Sequence, residues 1–170
     1  MPIGKKMNRC VNACCEKSLT LKSEIKSDSM EASQQSYIYC LEMKVRDYEI
    51  DSQGIVNNAN YLHYLEHTRH EFCQEAGVSF RDMQARGVDP VVSRIEIDYV
   101  TPLRLAEEFR SCLNLERRGA RFIFRQDIYN MEGKPVVRAL VTIVSLENGR
   151  LTRGEQLAEA FAPVLDNVDR

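Results

Sequence analysis

The residues whose types and spacing could support catalysis lie close together, between Val45 and Tyr61. Asp51 begins a polar turn that ends at Gly54, and a helical pattern starts a few residues later. A helix N-terminus exposes backbone N–H groups without intrahelical partners and carries a partial positive charge. A carbonyl oxygen placed there would be polarised, and the oxyanion formed on attack would be stabilised. Asp51 would then activate a water molecule as a general base, or attack the carbonyl carbon itself.

Thioesters are substrates that suit such a site. Their thiolate leaving group is a much weaker base than an amine or an alkoxide, so a strong general acid is not needed. One carboxylate and one oxyanion hole, here Asp51 and the amides from Asn57 to Ala59, would be enough for hydrolysis. The alternative is that Asp51 is an ordinary turn residue, since Asp is common in turns, and the residues alone leave this alternative open.

A second cluster of chemically versatile residues lies in the helix that follows. It contains all three histidines of the chain, His63, His67 and His70, together with Glu66. At these spacings the four side chains share one helical face, and the segment from His63 to His67 matches the H-x-x-E-H pattern of some zinc proteases. This face is opposite the apolar stripe, and a short motif alone is weak evidence for a metal site. We therefore expect no metal and no other cofactor.

The composition excludes several classes of function. The chain has 170 residues, of which 44% are hydrophobic and 28% charged, which is typical of one soluble globular domain. Its formal net charge of -2 argues against a nucleic-acid partner, which would require a basic surface. No apolar run approaches the roughly 20 residues that a membrane-spanning helix needs, so we expect no membrane partner.

The cysteines favour a reducing compartment. The group from Cys10 to Cys15 lacks the second half of a zinc motif. Cys40, Cys73 and Cys112 stand singly within apolar or mixed patterns, where a reduced thiol behaves as a small buried hydrophobic group. We expect these cysteines to be free thiols and the protein to be cytoplasmic.

The elements that must position Asp51 follow from periodicity. Residues 37–46 alternate with a period of two, which predicts a strand with one face on the core. From Ala59 to Ala76 the period becomes helical, and Asn57 or Asn58 can cap the start of this helix. Its predicted apolar stripe consists of Tyr61, Leu62, Leu65, Phe72, Cys73 and Ala76.

The rest of the pattern alternates short turns with strands. Gly77 ends the long helix, and Ser79 with Asp82 predicts a capped short helix that stops at Gly87. Four mostly antiparallel strands are then predicted, at 94–99, 109–116, 121–130 and 136–146. The last of them is apolar on both faces, so it should be central or lie at an interface, and we expect a second subunit to cover it.

The ends of the chain differ from its middle. Residues 1–35 are rich in Ser, Lys, Glu and Gln, which predicts a disordered or weakly structured extension. Thr152 and Glu155 fit a capping box for a final helix stopped by Pro163. The predicted domain therefore runs over residues 36–163, followed by a tail at 164–170.

The stretch from Val45 to Phe72 resembles the 4-hydroxybenzoyl-CoA thioesterase family of hotdog proteins. The helix entrance of that family reads Asp-x-x-Gly-[Ile/Val]-Val, then two variable residues, a small residue and, after one more position, Tyr. The matching residues here are Asp51, Gly54, Ile55, Val56, Ala59 and Tyr61. Glu66 and Arg69 continue the match along the helix, and Thr101-Pro102-Leu103-Arg104 matches the strand end that follows.

This resemblance implies an α+β hotdog fold, in which a long central helix packs on an antiparallel sheet of about five strands. It also implies homodimers or homotetramers that hydrolyse acyl-CoA to a carboxylic acid and free CoA. Asp51 would be the catalytic carboxylate, and the backbone N–H of Asn58 would polarise the thioester carbonyl. The residues expected to bind substrate are Gly54, Val56, Asn57, Ala59, Tyr61, Glu66, Arg69, Arg94 and Arg104, the arginines as partners for CoA phosphates.

Several points stay open at this level. The acyl group is not specified, and Leu105-Ala106-Glu107 replaces the Gly-Asp that commonly follows in relatives, so the contacts of that turn are not carried over. The alternatives are an acyl-ACP (acyl carrier protein) thioesterase and a non-catalytic hotdog protein that binds acyl thioesters. A hotdog dehydratase is disfavoured, because it needs a His where Asn57 and Asn58 stand.

Overall fold

A computed structural model describes residues 36–165, in which helices pack against one antiparallel sheet. The strands are β1 (Tyr39–Lys44), β2 (Val88–Tyr99), β3 (Glu108–Arg118), β4 (Arg121–Asn130), β5 (Pro135–Glu147) and β6 (Arg150–Leu151). The helices are α1 (Asn58–Glu75), α2 (Phe80–Ala85) and α3 (Glu155–Leu165), with a short 3₁₀ helix at Asp47–Glu49. The α+β class is confirmed, and β6 is an additional strand. The predicted extension, residues 1–35, lies outside the described residues.

The sheet places β5 in its interior. The strand order is β1-β3-β4-β5-β2, and β6 pairs with the end of β5. All of these pairings are antiparallel. The prediction of a central strand at 136–146 is therefore confirmed. In the described part of the chain β2 is an edge strand, and it carries exposed Val92, Ile95 and Tyr99.

The inner face of the sheet is the face that packs on α1. Residues at every second position face it, namely Phe109, Ser111, Leu113 and Leu115 on β3, and Phe122, Phe124, Gln126 and Ile128 on β4. Both predicted strands are confirmed, and their inward and outward residues alternate with a period of two. Two of the inward positions, Ser111 and Gln126, are polar, so they need partners on α1.

Helix α1 supplies those partners. The Thr68 hydroxyl lies 2.7 Å from that of Ser111, and Arg69 Nη1 donates to Gln126 Oε1 at 2.7 Å. Gln126 Nε2 in turn donates to the carbonyl of Leu65 at 2.9 Å. The predicted stripe is therefore corrected: Leu62 is 37% exposed, while Tyr64, Thr68 and Arg69 are buried. The buried face of α1 therefore includes Thr68 and Arg69, because Ser111 and Gln126 on the sheet are neutral hydrogen-bond partners for them.

The polar pairs separate two hydrophobic clusters. The cluster under the first half of α1 contains Val45, Val56, Tyr61, Tyr64, Leu65, Leu103 and Phe109 among others. The cluster under the second half contains Phe72, Cys73, Leu115, Phe122, Phe124, Leu157 and Phe161 among others. The first cluster thus holds the loop that precedes α1 against the sheet.

No helix in the described region is long and apolar enough to cross a membrane.

The final helix differs from its prediction. The hydroxyl of Thr152 accepts from the N–H of Gly154 at 3.1 Å, and α3 begins only at Glu155. Thr152 is therefore not the helix cap, because the chain makes a tight turn at Gly154 (φ 71°) before entering α3. The helix continues to Leu165, past the predicted stop at Pro163.

Two cysteines are joined rather than free. Cys40 on β1 and Cys112 on β3 are directly opposite in register and form a disulfide. The expectation of free thiols is wrong for this pair, because the antiparallel pairing of β1 with β3 brings together residues that lie 72 apart in the sequence. Cys73 is a buried free thiol as expected, and burial raises its pKa to about 12.

We predict that Gly154 contributes more to stability than its conformation alone requires. A Cβ at this position would lie 3.0 Å from Cε2 of Phe122 and 3.3 Å from Cβ of Ser145. Gly119 has a similar φ of 62° with nothing within 4 Å, so it isolates the conformational effect. Urea unfolding should show a loss of about 1 kcal/mol for Gly119→Ala and about 2–4 kcal/mol for Gly154→Ala. Equal losses would show that Gly154 does not lie as close to Phe122 and Ser145 as the structure indicates.

Candidate active site

A tight loop between Ile50 and Val56 presents Asp51. These two residues form an isolated antiparallel bridge. Inside it, the N–H of Asp51 donates to the carbonyl of Ile55 at 2.9 Å, and the N–H of Gly54 donates to the carbonyl of Asp51 at 3.0 Å. Gly54 has a φ of 75°, a conformation that favours glycine. The sequence motif therefore folds into a closed turn with Asp51 at its first position.

One of the two oxygens of the Asp51 carboxylate is hydrogen-bonded. Its Oδ1 accepts from the backbone N–H of Gln53 at 2.8 Å, while no described residue donates to Oδ2. The residue is half-buried, at the base of the turn. One oxygen thus fixes the orientation of the side chain, and the other is left to accept a proton or to attack.

The first amides of α1 are almost all satisfied. The N–H of Val56 donates to the carbonyl of Leu103, and that of Asn57 to the carbonyl of Glu49, both at 2.9 Å. Asn57 is the N-cap, since its side-chain oxygen accepts from the N–H of Ala59 at 2.9 Å, which confirms one of the two predicted caps. Its carbonyl accepts from Asn60.

The exception is Asn58, the first residue of α1. Its backbone N–H has no acceptor among the described residues, and the residue is exposed. A free N–H at the positive end of an 18-residue helix is suited to hold an oxyanion. This is the amide that the resemblance had indicated.

Two tyrosines fix the helix entrance. The hydroxyl of Tyr61 accepts from the N–H of Leu103 at 3.0 Å, and the hydroxyl of Tyr99 donates to the carbonyl of Asn58 at 3.1 Å. Their ring centroids lie 5.6 Å apart. Burial raises the pKa of Tyr61, the N–H of Leu103 lowers it, and nearby charges that include Asp51 raise it further. Burial is the largest of these effects, so the pKa of Tyr61 is raised overall.

The strand end at Leu103 and Arg104 belongs to the same region. Val56 and Tyr61 both bond to Leu103, which places the exposed Arg104 beside the entrance. The following turn differs from the glycine turn of relatives: Ala106 adopts a φ of 64°, and Glu107 accepts from the N–H of Arg104 at 3.0 Å. The turn thus forms without glycine, and Glu107 stabilises it.

Three predicted substrate residues lie elsewhere in this protomer. Glu66 is on the exposed side of α1. Arg69 is only 8% exposed and bonds to Gln126, and burial lowers its pKa. Arg94 is exposed on β2 and pairs with Glu96 at 3.2 Å. The turn, the start of α1 and the adjoining strand end thus carry Gly54, Val56, Asn57, Ala59, Tyr61 and Arg104, whereas these three residues lie outside that region.

The histidines do not form a metal site. Among residues 36–165 there is no group of three or more side chains that could hold a metal ion. His67 lies 3.9 Å from Glu71, and the ring of His70 packs edge-on against Phe80. His67 and His70 therefore contact different residues.

One functional candidate was missed at the sequence level. Glu49 is 4% exposed and bonds to both the loop and α1 through its side chain and carbonyl. The sequence signal is weak, because an acidic residue two positions before Asp51 looks like part of a solvated turn. Its burial depends on Tyr64, which is 15 residues away.

Comparisons with known proteins indicate which family the chain is similar to. A family model described as the thioesterase-like superfamily matches residues 45–167. The chain is 33% identical to the acyl-acyl carrier protein thioesterase ATL3 of Arabidopsis thaliana, over 64% of this chain and 58% of that protein. It is 31% identical to the long-chain acyl-CoA thioesterase FadM of Escherichia coli, over 62% of this chain and 81% of that protein. The match thus spans less than two thirds of the length of the plant relative.

A solved structure shows the same architecture. The probable thioesterase YbaW from Escherichia coli superposes with a TM-score of 0.67 at 30% identity, covering 74% of this chain and 98% of that one. The expected hotdog fold is therefore confirmed.

Proposed function

Because the chain belongs to the thioesterase-like superfamily, we propose that it hydrolyses acyl-CoA thioesters to a carboxylic acid and free CoA. The observation that carries the proposal is the pairing of two unsatisfied groups at one helix entrance. Asp51 has a carboxylate oxygen without a donor, and Asn58 has a backbone N–H without an acceptor, among the described residues. A nucleophile activator and an oxyanion donor are the two parts that acyl transfer to water requires.

In the proposed chemistry both groups act on the same thioester carbonyl. The thioester oxygen accepts from the N–H of Asn58, and the helix dipole stabilises the charge that develops on it. Asp51 takes a proton from water as the water oxygen bonds to the carbonyl carbon. Collapse of the tetrahedral intermediate breaks the C–S bond, and the proton held by Asp51 passes to the departing thiolate, which leaves as free CoA while Asp51 is ionised again. In the alternative route Asp51 attacks directly, and water then hydrolyses the resulting anhydride.

The surrounding residues would hold the substrate. Gly54, Asn57 and Ala59 are exposed at the turn and the helix entrance and would contact the substrate, while the buried Val56 and Tyr61 would support them from beneath. The exposed Arg104 could pair with a CoA phosphate. Glu66, Arg69 and Arg94 remain predictions. Glu66 and Arg94 lie outside the turn and the helix entrance that carry Asp51, so each would contact a part of the substrate away from the thioester, or would act from a neighbouring subunit.

Acyl carrier protein is the alternative carrier. The similarity to the plant acyl-acyl carrier protein thioesterase favours it, and CoA is favoured by the similarity to FadM. Both carriers present the thioester on the same phosphopantetheine arm, so Asp51 and Asn58 would act alike. Comparing kcat/KM for one acyl group on CoA and on acyl carrier protein separates the two. The absence of turnover on both would favour the non-catalytic thioester binder.

We also propose a homodimer or homotetramer. The free edge of β2, with exposed Val92, Ile95 and Tyr99, is a surface that a second copy could cover. Sedimentation equilibrium of the purified protein should give a mass of two or four chains. A mass of 19.6 kDa at micromolar concentration contradicts this proposal.

The cellular location follows less directly. A cytoplasmic location was expected from free thiols, whereas the Cys40–Cys112 disulfide is typical of an oxidising compartment. Cytoplasmic location therefore stays a prediction that the disulfide does not favour.

Asp51→Asn is expected to lower kcat at least roughly 100-fold, since it removes the base or nucleophile. The asparagine oxygen can still accept from the N–H of Gln53, so the free energy of unfolding should change by less than about 1 kcal/mol. Thiol release from acyl-CoA and urea unfolding measure the two effects. Asp47→Asn, an exposed acid in the same loop, is the matched control and should keep wild-type turnover. Near wild-type turnover in Asp51→Asn would remove Asp51 from the mechanism.

Asn58→Pro tests the amide without changing a charged group. Proline is tolerated at the first helical position, where it removes only the N–H. Asn57 has φ -58° and ψ 136°, which is the extended conformation that a residue before proline prefers. We expect kcat to fall roughly 100- to 1000-fold.

Asn58→Ala is the control for that variant. It keeps the N–H and the carbonyl that Tyr99 contacts, so its turnover should stay within about threefold of wild type. Circular dichroism confirms that α1 remains in both variants. A proline variant as active as the alanine variant contradicts the oxyanion role of this amide.

A further inference from the structure

Glu49 is a buried carboxylate next to the proposed site. It is 4% exposed and stands two residues before Asp51. Charged side chains are rarely buried unless their hydrogen bonds are satisfied, because removing a carboxylate from water is unfavourable. The proposed hydrolysis uses only Asp51 and the N–H of Asn58, so it does not explain why a carboxylate is buried at position 49.

The side chain of Glu49 joins the loop to α1. Its Oε2 accepts from the backbone N–H of Arg46 at 2.7 Å and from the hydroxyl of Tyr64 at 2.6 Å. Tyr64 is itself 4% exposed and packs on Phe109 at a centroid distance of 4.7 Å. The contact of Oε1 with Arg46 Nη1 is longer, at 3.4 Å, and Arg46 is largely exposed, so this ion pair adds little.

The carbonyl of Glu49 joins the same two elements a second time. It accepts from the N–H of Asn57 at 2.9 Å and from Nδ2 of Asn60 at 2.8 Å. Asn57, Asn60 and Tyr64 are spaced by three and four residues, so they lie on one face of α1. A single residue thus binds the first two turns of the helix to the loop that carries Asp51.

These bonds also decide which amide is left free. Because the Glu49 carbonyl takes the N–H of Asn57, and the Asn57 side chain takes that of Ala59, only the N–H of Asn58 between them has no acceptor among the described residues. Together with the bonds of the Glu49 side chain, they restrain the loop that carries Asp51 against the helix entrance that carries Asn58.

A stabilising role alone does not require a carboxylate here. Apolar residues of similar volume commonly replace buried charged networks without loss of stability, whereas a hydrogen-bonded network fixes one relative position of two elements. We propose that Glu49 is a positioning residue for thioester hydrolysis, which acts through Asp51 and the N–H of Asn58 by locking the loop onto the first two turns of α1. This inference rests on the proposed function.

The test compares kcat and KM for Glu49→Ala and Glu49→Gln on one acyl-CoA. Glutamine Oε1 can accept from both Arg46 and Tyr64, so it keeps the two short bonds without the charge. We expect Glu49→Ala to lower kcat at least tenfold with KM changed less than threefold, and Glu49→Gln to restore kcat to within threefold of wild type. Tyr64→Phe, which removes only the hydroxyl, should lower kcat three- to tenfold.

A matched control lies at the other end of the same helix. Glu75 accepts from the hydroxyl of Tyr39 at 3.4 Å, so it is also a glutamate–tyrosine pair between α1 and a neighbouring segment. Glu75→Ala should leave kcat and KM unchanged. Turnover is normalised to folded protein, measured by thermal unfolding, so a loss of stability does not imitate a loss of kcat.

The outcomes separate the two proposals. Wild-type kcat in folded Glu49→Ala, or equal losses in the alanine and glutamine variants, overturns the positioning role. If Glu49→Ala does not fold, wild-type kcat in Tyr64→Phe overturns it instead. Asp51→Ala is assayed in parallel: if it retains turnover, the proposed function fails, and if it is inactive while the Glu49 variants are normal, only the positioning role fails.

Discussion

The first turn of α1 can be placed in only one way against the loop and strand end around it. Four hydrogen bonds join the helix entrance to the surrounding segments. They are made by the N–H groups of Val56 and Asn57 just before α1, and by the carbonyl of Asn58 and the hydroxyl of Tyr61 within it. Each bond has a fixed direction, so together they hold the helix entrance more tightly than apolar contact would. The N–H of Asn58 has no acceptor among the described residues, and because Asn58 is exposed, water can satisfy it.

The middle of α1 is held by a different device. Thr68 with Ser111, and Arg69 with Gln126, form a buried polar layer between the two hydrophobic clusters. A buried guanidinium without a carboxylate partner within bonding distance contributes little net stability. What the layer provides is register, because sliding or rotating α1 would leave several buried donors and acceptors unpaired. The orientation of the helix entrance therefore depends on polar contacts three turns away.

Local patterns in the sequence were sufficient for some features and not for others. The strands β3 and β4 and the cap at Asn57 depend on neighbours within a few residues, so strand and turn patterns and capping rules predicted them. The partners of Glu49, Arg69 and Cys40 lie 15, 57 and 72 residues away, respectively. Strand order and register bring such partners together, and composition or spacing does not specify them. Asp51 and Asn58 were predicted through resemblance, since an acid before a helix is common by itself.

The aromatic residues show how the two halves of the core differ. Tyr61, Tyr64 and Tyr99 surround the first two turns of α1, and each hydroxyl bonds to the loop, the strand end or the helix. Phe72, Phe122, Phe124 and Phe161 fill the other half, where Tyr39 packs at the margin with its hydroxyl directed to the exposed Glu75. Both residue types bury similar apolar area, but a buried phenol is stable only where its hydrogen bond is made. The half with phenylalanine therefore supplies non-directional packing, and the half with tyrosine adds the directional contacts that a site of two small groups requires.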